Sequence, residues 1–294
     1  NNKIYNLPNN LNQIVNEINL TKFLDEYKNK EIIYIPNPGN AGDCLIALGC
    51  FIKFKESNLN YTFGNANTKY KNKILFYAGG GNLVGIYQNC KKFLKNNMES
   101  NKIVILPHTI KDEDILIQNL NNNVKIICRE KKSYSYVYKN IRNKNNLFLS
   151  KDTAFYIDNL EKFKNKEKYN SCNLFRTDDE KTDILIPLDN YDLSLIKNGI
   201  PWINNKELID TKDKIFNYIS KYKKIYTNRL HIAIAGYLID KEVHFYPNIY
   251  YKNEAVYDYS LKQSNKIYFH RNNTKLKILV YFCLVIKIKS IGKN

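Results

Sequence analysis

The chain has 294 residues, of which 44% are hydrophobic and 13% aromatic, so it is long enough for two domains and too apolar to be a disordered chain. Its 46 Lys and Arg residues outnumber its 28 Asp and Glu residues, and the formal net charge of +18 favours polyanionic partners or phosphorylated substrates. The lysines are spread along the sequence, so a solvated basic surface explains the charge equally well.

The first half of the chain predicts repeated strand–turn–helix units. Apolar positions at helical spacing in residues 1–30 predict one or two amphipathic helices. A short apolar run, Ile32–Ile35, then leads through a glycine-containing turn into a buried helix near 44–52. Further strand candidates follow at 74–78, 103–106, 124–128 and 147–149, with helices expected after Asn82 to about Leu94, near 115–120 and through Tyr134 and Tyr138. This alternation, with nearly continuous apolar strands, predicts a parallel sheet covered on both faces.

Ligands of such sheets bind beyond the carboxyl ends of the strands. The residues that we expect at this rim are Asn40, Asp43, Gly80, Gly81, Asn82, His108, Arg129 and Asp152. The turn Gly79–Asn82 matches neither a dinucleotide fingerprint nor a P-loop. It offers close approach of backbone to a ligand, or it is a plain tight turn.

Residues 159–170 are rich in Lys and Asn and form a candidate linker. Beyond it, strands are expected at 172–175, 184–187, 225–227 and 243–246, with helices near 212–220 and 254–261. The predicted fold is therefore α/β, with two Rossmann-like domains of parallel sheet. Their predicted bounds are 1–165 and 166–265, followed by a basic apolar tail at 266–294.

The tail contains the strongly apolar run Leu276–Ile286, flanked by lysines. This run is too short to span a bilayer. It can lie in a membrane interface, where the basic flanks would meet anionic lipids, or it can pack on the protein core.

The stretch Asn228-Arg229-Leu230-His231 joins a short apolar run to a second helix-like run. Asn228 is a candidate N-cap, and Arg229 and His231 would then lie in the first helical turn. Free backbone N–H groups and the helix dipole attract an anion there, and a cation and a proton donor stand beside it. An ordinary helix start is the alternative.

Arg129 follows a predicted strand directly. Together with Arg229 it could clamp a planar carboxylate or phosphate through paired hydrogen bonds. The alternative is a salt bridge between Arg129 and Glu130 or Asp152.

The six cysteines show no C-x-x-C spacing and no metal-ligand pattern with the histidines. Most lie in apolar runs, which fits a reducing cytoplasm. The polar residues 1–10 do not resemble a signal peptide, and no metal site is expected.

Several short motifs occur in an order that resembles the polysaccharide pyruvyl transferase family. They are Gly39-Asn40-Ala41-Gly42-Asp43, Gly79-Gly80-Gly81-Asn82, Leu106-Pro107-His108-Thr109, Cys128-Arg129-Glu130 with Ser133, Asp152-Thr153-Ala154, Phe175-Arg176-Thr177-Asp178 and Asn228-Arg229-Leu230-His231. His108 departs from the pattern, since the family often has Gln there.

The resemblance implies a glycosyltransferase-B-type fold with a cleft between two domains. It also implies transfer of the enolpyruvyl group of phosphoenolpyruvate to two hydroxyls of a sugar, in a cell-surface polysaccharide or its lipid-linked precursor, forming a pyruvate ketal. Phosphoenolpyruvate is the co-substrate, and no metal or redox cofactor is required.

Carried over to this chain, the resemblance makes Arg129, Arg229 and His231 the catalytic residues. The donor would bind Arg129 and Arg229, Leu230 would shape its pocket, and His231 would protonate its methylene carbon. The first domain would be the acceptor side, with Asn40, Asp43, Gly80, Gly81, Asn82 and His108 as the binding residues. The protein would be cytoplasmic and peripheral at the inner face of the cell membrane, without a nucleic-acid partner.

Two other functions fit the same sequence. A glycosyltransferase that uses a nucleotide sugar could share the fold, because fold does not decide function. A non-enzymatic binder of anionic glycan or nucleic acid would use the positive charge alone and show steeply salt-dependent affinity.

Overall fold

The structure is a computed structural model that describes residues 15–271. These divide into two compact units. The first unit comprises the described residues up to Asn159 together with Lys197–Asp213, and the second comprises Leu160–Ile196 together with those from Lys214 onward. Segment 197–213, which the sequence analysis assigned to the second domain, therefore packs with the first. Gly39 and Ile200 exchange backbone hydrogen bonds of 3.2 and 3.3 Å, which fastens the segment there.

A parallel sheet forms the centre of the first unit, as predicted. The strands run in the order β2-β1-β3-β5-β6-β7, and β4 pairs with β5. Every one of these pairings is parallel. The strand bounds are β1 Glu31–Ile35, β2 Asn60–Phe63, β3 Ile74–Tyr77, β4 Gly80–Val84, β5 Lys102–Lys111, β6 Val124–Cys128 and β7 Leu147–Leu149.

Helices flank this sheet: α1 Leu20–Asp25, α2 Ala41–Glu56, α3 Asn89–Asn97, α4 Asp114–Gln118 and α5 Lys131–Asn140. A further helix, α6 Asn205–Ser220, begins in the first unit and ends in the second. Helix α2 starts at a capping box, in which Asn40 accepts from Gly42 N–H at 2.7 Å and Asp43 accepts from Asn40 N–H at 2.8 Å. On the buried side of α2, Cys50 and Phe54 pack in one core with Tyr34 and Phe76.

Two predictions for the first unit are wrong. The helix expected from just after Asn82 does not begin there, because Gly80–Val84 form β4 and α3 begins only at Asn89. Gly80 has a φ of +138°, a conformation open to glycine that lets the chain turn at once into a strand beside β5. Strand β5 also does not end at Pro107 but continues to Lys111, so His108 lies inside a buried strand.

The second unit has its own parallel sheet, ordered β11-β10-β9-β8. Its strands are β8 Tyr169–Leu174, β9 Tyr222–Thr227, β10 Glu242–Phe245 and β11 Ile267–Phe269. Helix α7 spans Leu230–Leu238, and helix α8 spans Lys252–Val256 before a π-helical turn, Tyr257–Leu261. The strand expected at 184–187 is absent from this described sheet, because Ile184 packs from an irregular segment against Phe175 and Tyr246.

Parts of two predictions lie outside the described residues. The expected helical positions Leu11 and Ile14 precede them, and the apolar run Leu276–Ile286 with its predicted membrane contact follows them. Strand β11, inside the predicted tail, belongs to the second sheet. Among residues 15–271 no helix combines the length and apolarity that crossing a membrane requires.

Candidate functional site

In the first unit, a polar cluster lies where β3, β4 and β5 meet. The side-chain amide of Asn82 donates to Asn37 Oδ1 at 2.6 Å and to the Tyr77 hydroxyl at 2.8 Å. His108 Nε2 lies 3.1 Å from the backbone N of Asn82 and 2.8 Å from its Oδ1, so either tautomer of the imidazole finds a partner there.

His108 is fully buried, and burial lowers its pKa to about 3, with a further contribution from the nearby positive charge of Arg129. The imidazole is therefore neutral at physiological pH. Its Nδ1 is buried without a hydrogen-bond partner among the described residues. His108 can thus orient a polar group, but it is poorly suited to be a general acid.

Arg129 forms a buried ion pair directly behind this cluster. Its NH1 lies 2.7 Å from Asp152 Oδ2, and its Nε donates to Thr109 Oγ1 at 2.8 Å. Arg129 and Asp152 are each 1% exposed. This is the salt bridge that the sequence left open as an alternative, and donor binding by Arg129 stays a prediction.

A small recess opens beside the start of α2. Residues lining it include Asn37, Asp43, Gly79 and Trp202. The indole N–H of Trp202 is buried and has no hydrogen-bond partner in the part of the chain that the structure describes. Trp202 reaches this place because segment 197–213 packs on α2 through Cys44 and Ala47.

The predicted acceptor residues thus lie at the start of α2, which follows β1, and in strands β4 and β5. Asn40 and Asp43 start α2, Gly80, Gly81 and Asn82 open β4, and His108 lies opposite Gly80 in β5. A Cβ added to Gly80 would lie 3.2 Å from Asn37 Nδ2. This region therefore brings together amide, carboxylate and imidazole groups of the kinds that bind sugar hydroxyls, although the imidazole of His108 is fully buried.

In the second unit, the corresponding strand ends carry two arginines. Arg176 comes two residues after β8, and Arg229 comes two residues after β9. The ends of these two strands are tied together, since Thr227 Oγ1 donates to Leu174 O at 2.7 Å and accepts from Arg229 N–H at 3.0 Å.

The predicted N-cap at Asn228 is wrong. The residue at the cap of α7 is Arg229, without a side-chain cap bond. The side chain of Asn228 instead accepts from the backbone N–H of Arg176 at 2.8 Å, so it joins the two arginine-bearing loops. Leu230 and His231 are the first two residues of α7; Leu230 is buried and His231 half-buried.

Arg229 is surrounded by carboxylates. Its Nε donates to Asp192 Oδ1 at 2.9 Å and its NH2 to Asp192 Oδ2 at 2.5 Å. Its NH1 lies 2.7 Å from Asp178 Oδ2. Two carboxylates thus hold the guanidinium in one orientation.

Arg176 shares Asp178 with Arg229. Its Nε donates to Asp178 Oδ1 at 2.7 Å, its NH2 to Asp178 Oδ2 at 3.2 Å, and its NH1 to Glu180 Oε2 at 2.5 Å. Burial works against the charge of Arg176, but Glu180 and Asp178 more than offset it, and the pKa of Arg176 is raised. Burial likewise opposes the charge of Asp178, and both arginines outweigh it, so the pKa of Asp178 is lowered.

Glu180 extends the network to α8. It accepts from Lys252 Nζ at 2.6 Å and from Asn248 Nδ2 at 3.1 Å. Within this described network, three positive side chains therefore face three carboxylates, those of Asp178, Glu180 and Asp192.

Arg176 and Asp178 belong to one of the motifs that carry the family resemblance, but no role was predicted for them, and Asp192 was not predicted at all. A signal existed for Arg176, because it follows β8 as Arg229 follows β9. No sequence signal pointed to Asp192, which is brought to Arg229 by the irregular segment after β8. Among residues 15–271, no group of three or more His, Cys, Asp or Glu side chains is arranged to hold a metal ion.

Known proteins are similar to most of this chain. EpsO of Bacillus subtilis (strain 168), a protein provisionally named a pyruvyl transferase, is 26% identical over 77% of this chain and 84% of its own length. The crystal structure of the functionally uncharacterised protein KP1_0663 from Klebsiella pneumoniae subsp. pneumoniae NTUH-K2044 is 34% identical. That match covers 90% of this chain and 100% of the other, with a TM-score of 0.77.

The family model for polysaccharide pyruvyl transferase matches residues 17–248, which include both groups of rim residues. The chain therefore belongs to the polysaccharide pyruvyl transferase family, a family of transferases that act in pyruvyl transfer to polysaccharide.

Proposed function

We propose that this protein transfers the enolpyruvyl group of phosphoenolpyruvate to two hydroxyls of a sugar, forming a cyclic pyruvate ketal and releasing phosphate. The observation that carries the proposal is the convergence of Arg176 and Arg229 on one carboxylate, that of Asp178. Phosphoenolpyruvate has a carboxylate and a phosphate, and guanidinium groups bind both with charge-assisted hydrogen bonds.

The donor site that we propose lies in the second unit. Arg176 and Arg229 bind the anionic groups, and Leu230 forms an apolar wall beside them. Arg176 takes the place in this proposal that the sequence analysis gave to Arg129, because its guanidinium shares a bound carboxylate with Arg229. Arg129 is buried with Asp152 in the first unit.

His231 acts as the general acid in this proposal. It transfers a proton to the methylene carbon of the donor, which becomes the methyl group, and the neighbouring carbon gains cationic character. A sugar hydroxyl attacks that carbon and gives up its proton, the C–O bond to phosphate breaks, and the second hydroxyl closes the ketal. One hydroxyl proton restores His231 and the other leaves with phosphate.

The acceptor sugar binds in the first unit, at Asn40, Asp43, Gly80, Gly81, Asn82 and His108. Neutral amide and imidazole groups beside a carboxylate suit hydroxyl ligands, which both donate and accept hydrogen bonds. The two-domain glycosyltransferase-B-type arrangement with its cleft, the lipid-linked acceptor, the absence of a cofactor and the place at the cytoplasmic membrane face stay predictions.

Phosphate release from phosphoenolpyruvate in the presence of a panel of lipid-linked or nitrophenyl sugars tests this function. We expect release that depends on the sugar. His231→Ala should still bind phosphoenolpyruvate, and its rate of phosphate release should fall by about 10²–10⁴-fold, the range for loss of a general acid. Arg229→Ala should lose binding as well.

Unchanged release by both variants would contradict the proposed roles. Binding of a nucleoside diphosphate in place of phosphoenolpyruvate would indicate the nucleotide-sugar alternative.

A further inference from the structure

The carboxylate of Asp178 is held as a bound anion would be. Both of its oxygens take part: Oδ1 accepts from Arg176 Nε at 2.7 Å, while Oδ2 lies 2.7 Å from Arg229 NH1 and 3.2 Å from Arg176 NH2. Two guanidinium groups from neighbouring strand ends thus enclose one carboxylate. A carboxylate or phosphate of a ligand would use the same nitrogen atoms.

The three carboxylates of the network differ in how firmly they are held. The side chain of Asp178 is 33% exposed, whereas those of Asp192 and Glu180 are each 6% exposed. Asp192 also accepts from Thr177 N at 2.8 Å and from Thr177 Oγ1 at 3.1 Å. Apart from its bonds to the arginines, Asp178 accepts a long hydrogen bond, 3.3 Å from the backbone N of Glu180.

Asp178 is therefore the carboxylate that can leave the arginines at the lowest cost. Moving Asp192 or Glu180 would expose a side chain that is only 6% exposed, and moving Asp192 would also leave the N–H and hydroxyl of Thr177 without their acceptor. A turn of the Asp178 side chain into solvent would hydrate its charge and free hydrogen-bond donors on both arginines.

Charge balance gives this movement a role. With Asp178 in place, the network's three cations face three carboxylates, so a polyanionic ligand gains little attraction. The carboxylate of Asp178 and an anionic group of a ligand cannot both occupy the same guanidinium nitrogens, because like charges at such a distance repel strongly.

We propose that Asp178 is an intramolecular stand-in for the donor anion, which phosphoenolpyruvate displaces from Arg176 and Arg229 when it binds. The inference rests on the proposed function, since it assumes that these arginines bind the donor. Asp178 then limits the affinity of the empty site for anions, inorganic phosphate included, and its return to the arginines favours release of the phosphate product.

Calorimetric titration of the full chain with phosphoenolpyruvate, and separately with inorganic phosphate, tests the proposal. Asp178→Asn keeps the size of the side chain and removes its charge. We expect it to bind both anions at least about tenfold more tightly than the wild type, a change of about 1.4 kcal/mol. The matched variant Asp192→Asn removes the charge that orients Arg229, and it should bind both anions more weakly than the wild type.

Equal or weaker anion binding by Asp178→Asn, with Arg229-dependent binding by the wild type, would overturn the stand-in role and leave the proposed function intact. If neither the wild type nor Asp178→Asn nor Asp192→Asn bound phosphoenolpyruvate, both the stand-in role and the proposed function would be overturned. Asp178→Ser serves as a second variant, and thermal unfolding reports whether each is folded. If neither Asp178 variant folds, the carboxylate is a structural requirement and the proposal fails.

Discussion

Arg229 and Asp192 form a bidentate ion pair, in which Arg229 Nε lies 2.9 Å from Asp192 Oδ1 and Arg229 NH2 lies 2.5 Å from Asp192 Oδ2. A planar guanidinium matches a carboxylate in this way, and the match fixes the direction of the remaining nitrogen, NH1. That nitrogen points to Asp178, 2.7 Å away, in the position that we assign to the donor anion. Asp192 therefore orients Arg229 for a second anion.

Replacing Arg229 with lysine should separate charge from geometry. Lysine keeps the positive charge but cannot form both bonds to Asp192 and reach a ligand as well. We expect Arg229→Lys to raise the Kd for phosphoenolpyruvate by about tenfold or more, measured by calorimetric titration. Arg142→Lys, at an exposed arginine, is the control and should bind as the wild type does. Wild-type affinity in Arg229→Lys would mean that the fork geometry is not used.

Arg129→Ala should destabilise the first unit. The variant leaves Asp152 buried without its ion-pair partner, and breaking a buried pair from one side costs about 3–5 kcal/mol. Urea unfolding followed by intrinsic fluorescence measures this, with Lys28→Ala as the control because Lys28 and Asp25 pair at the exposed surface. The exposed pair should contribute about 0–1 kcal/mol. A stable Arg129→Ala protein that has lost donor binding would instead support the direct donor contact predicted from the sequence.

Gly49→Ala should also destabilise the first unit. A Cβ at Gly49 of α2 would lie 1.9 Å from the backbone O of Thr153, which cannot swing aside as a side chain can. The helix and the turn at Thr153 must then separate, and overpacking of this kind costs about 1–3 kcal/mol or more. Gly85→Ala is the matched control, since its nearest contact would be at an ordinary 3.4 Å. Equal unfolding midpoints for the two variants in urea would show that α2 can move away freely.

His108 makes stability depend on pH in a defined window. Burial lowers the pKa of His108 from 6.5 to about 3, so the unfolded chain takes up a proton that the folded chain does not. Its contribution to stability is complete above about pH 6.5 and is lost as the pH falls toward about 3. Between pH 7 and pH 5 we expect the wild type to lose about 2 kcal/mol more of its free energy of unfolding than His108→Gln does.

Glutamine is neutral throughout this range, so the comparison removes the effect of other titrating groups. Urea unfolding of both proteins at the two pH values gives the result. If the wild type and His108→Gln lost the same free energy of unfolding between pH 7 and pH 5, His108 would be protonated in the folded protein or in contact with solvent.

Short-range signals predicted much of the first sheet. The apolar runs that became β1, β3, β6 and β7 are buried on both faces, and such strands are nearly continuous in apolar residues. The start of α2 was predictable as well, because Asn40 and Asp43 have capping-box spacing.

Other elements depended on contacts that the local sequence does not contain. Val84, Ile86 and Tyr87 fit a helical spacing, yet the backbone freedom of Gly80 and pairing with β5 made Gly80–Val84 a strand. Strand β11 has three residues, too few to show a period. Asn228 has a side chain that often caps helices, but in the fold this side chain accepts a hydrogen bond from the backbone N–H of Arg176, in the loop after β8.

The donor-side network shows the same limit. Arg229 could be found from its place at a strand end, whereas Asp192 became its partner only through the path of an irregular segment. Charge pairs that are distant in sequence leave no periodic pattern, so their geometry has to come from the structure.

The return of segment 197–213 to the first unit has a consequence for the order in which the protein is made. On the ribosome, the strands β1 to β7 are complete long before Trp202, which covers Cys44 and Ala47 of α2, has been synthesised. Strand β8 of the second unit is also synthesised before Trp202. Until then, the side of α2 that carries Cys44 and Ala47 lacks its apolar cover in the nascent first unit. A fragment ending at Asn159 would leave this side of α2 exposed.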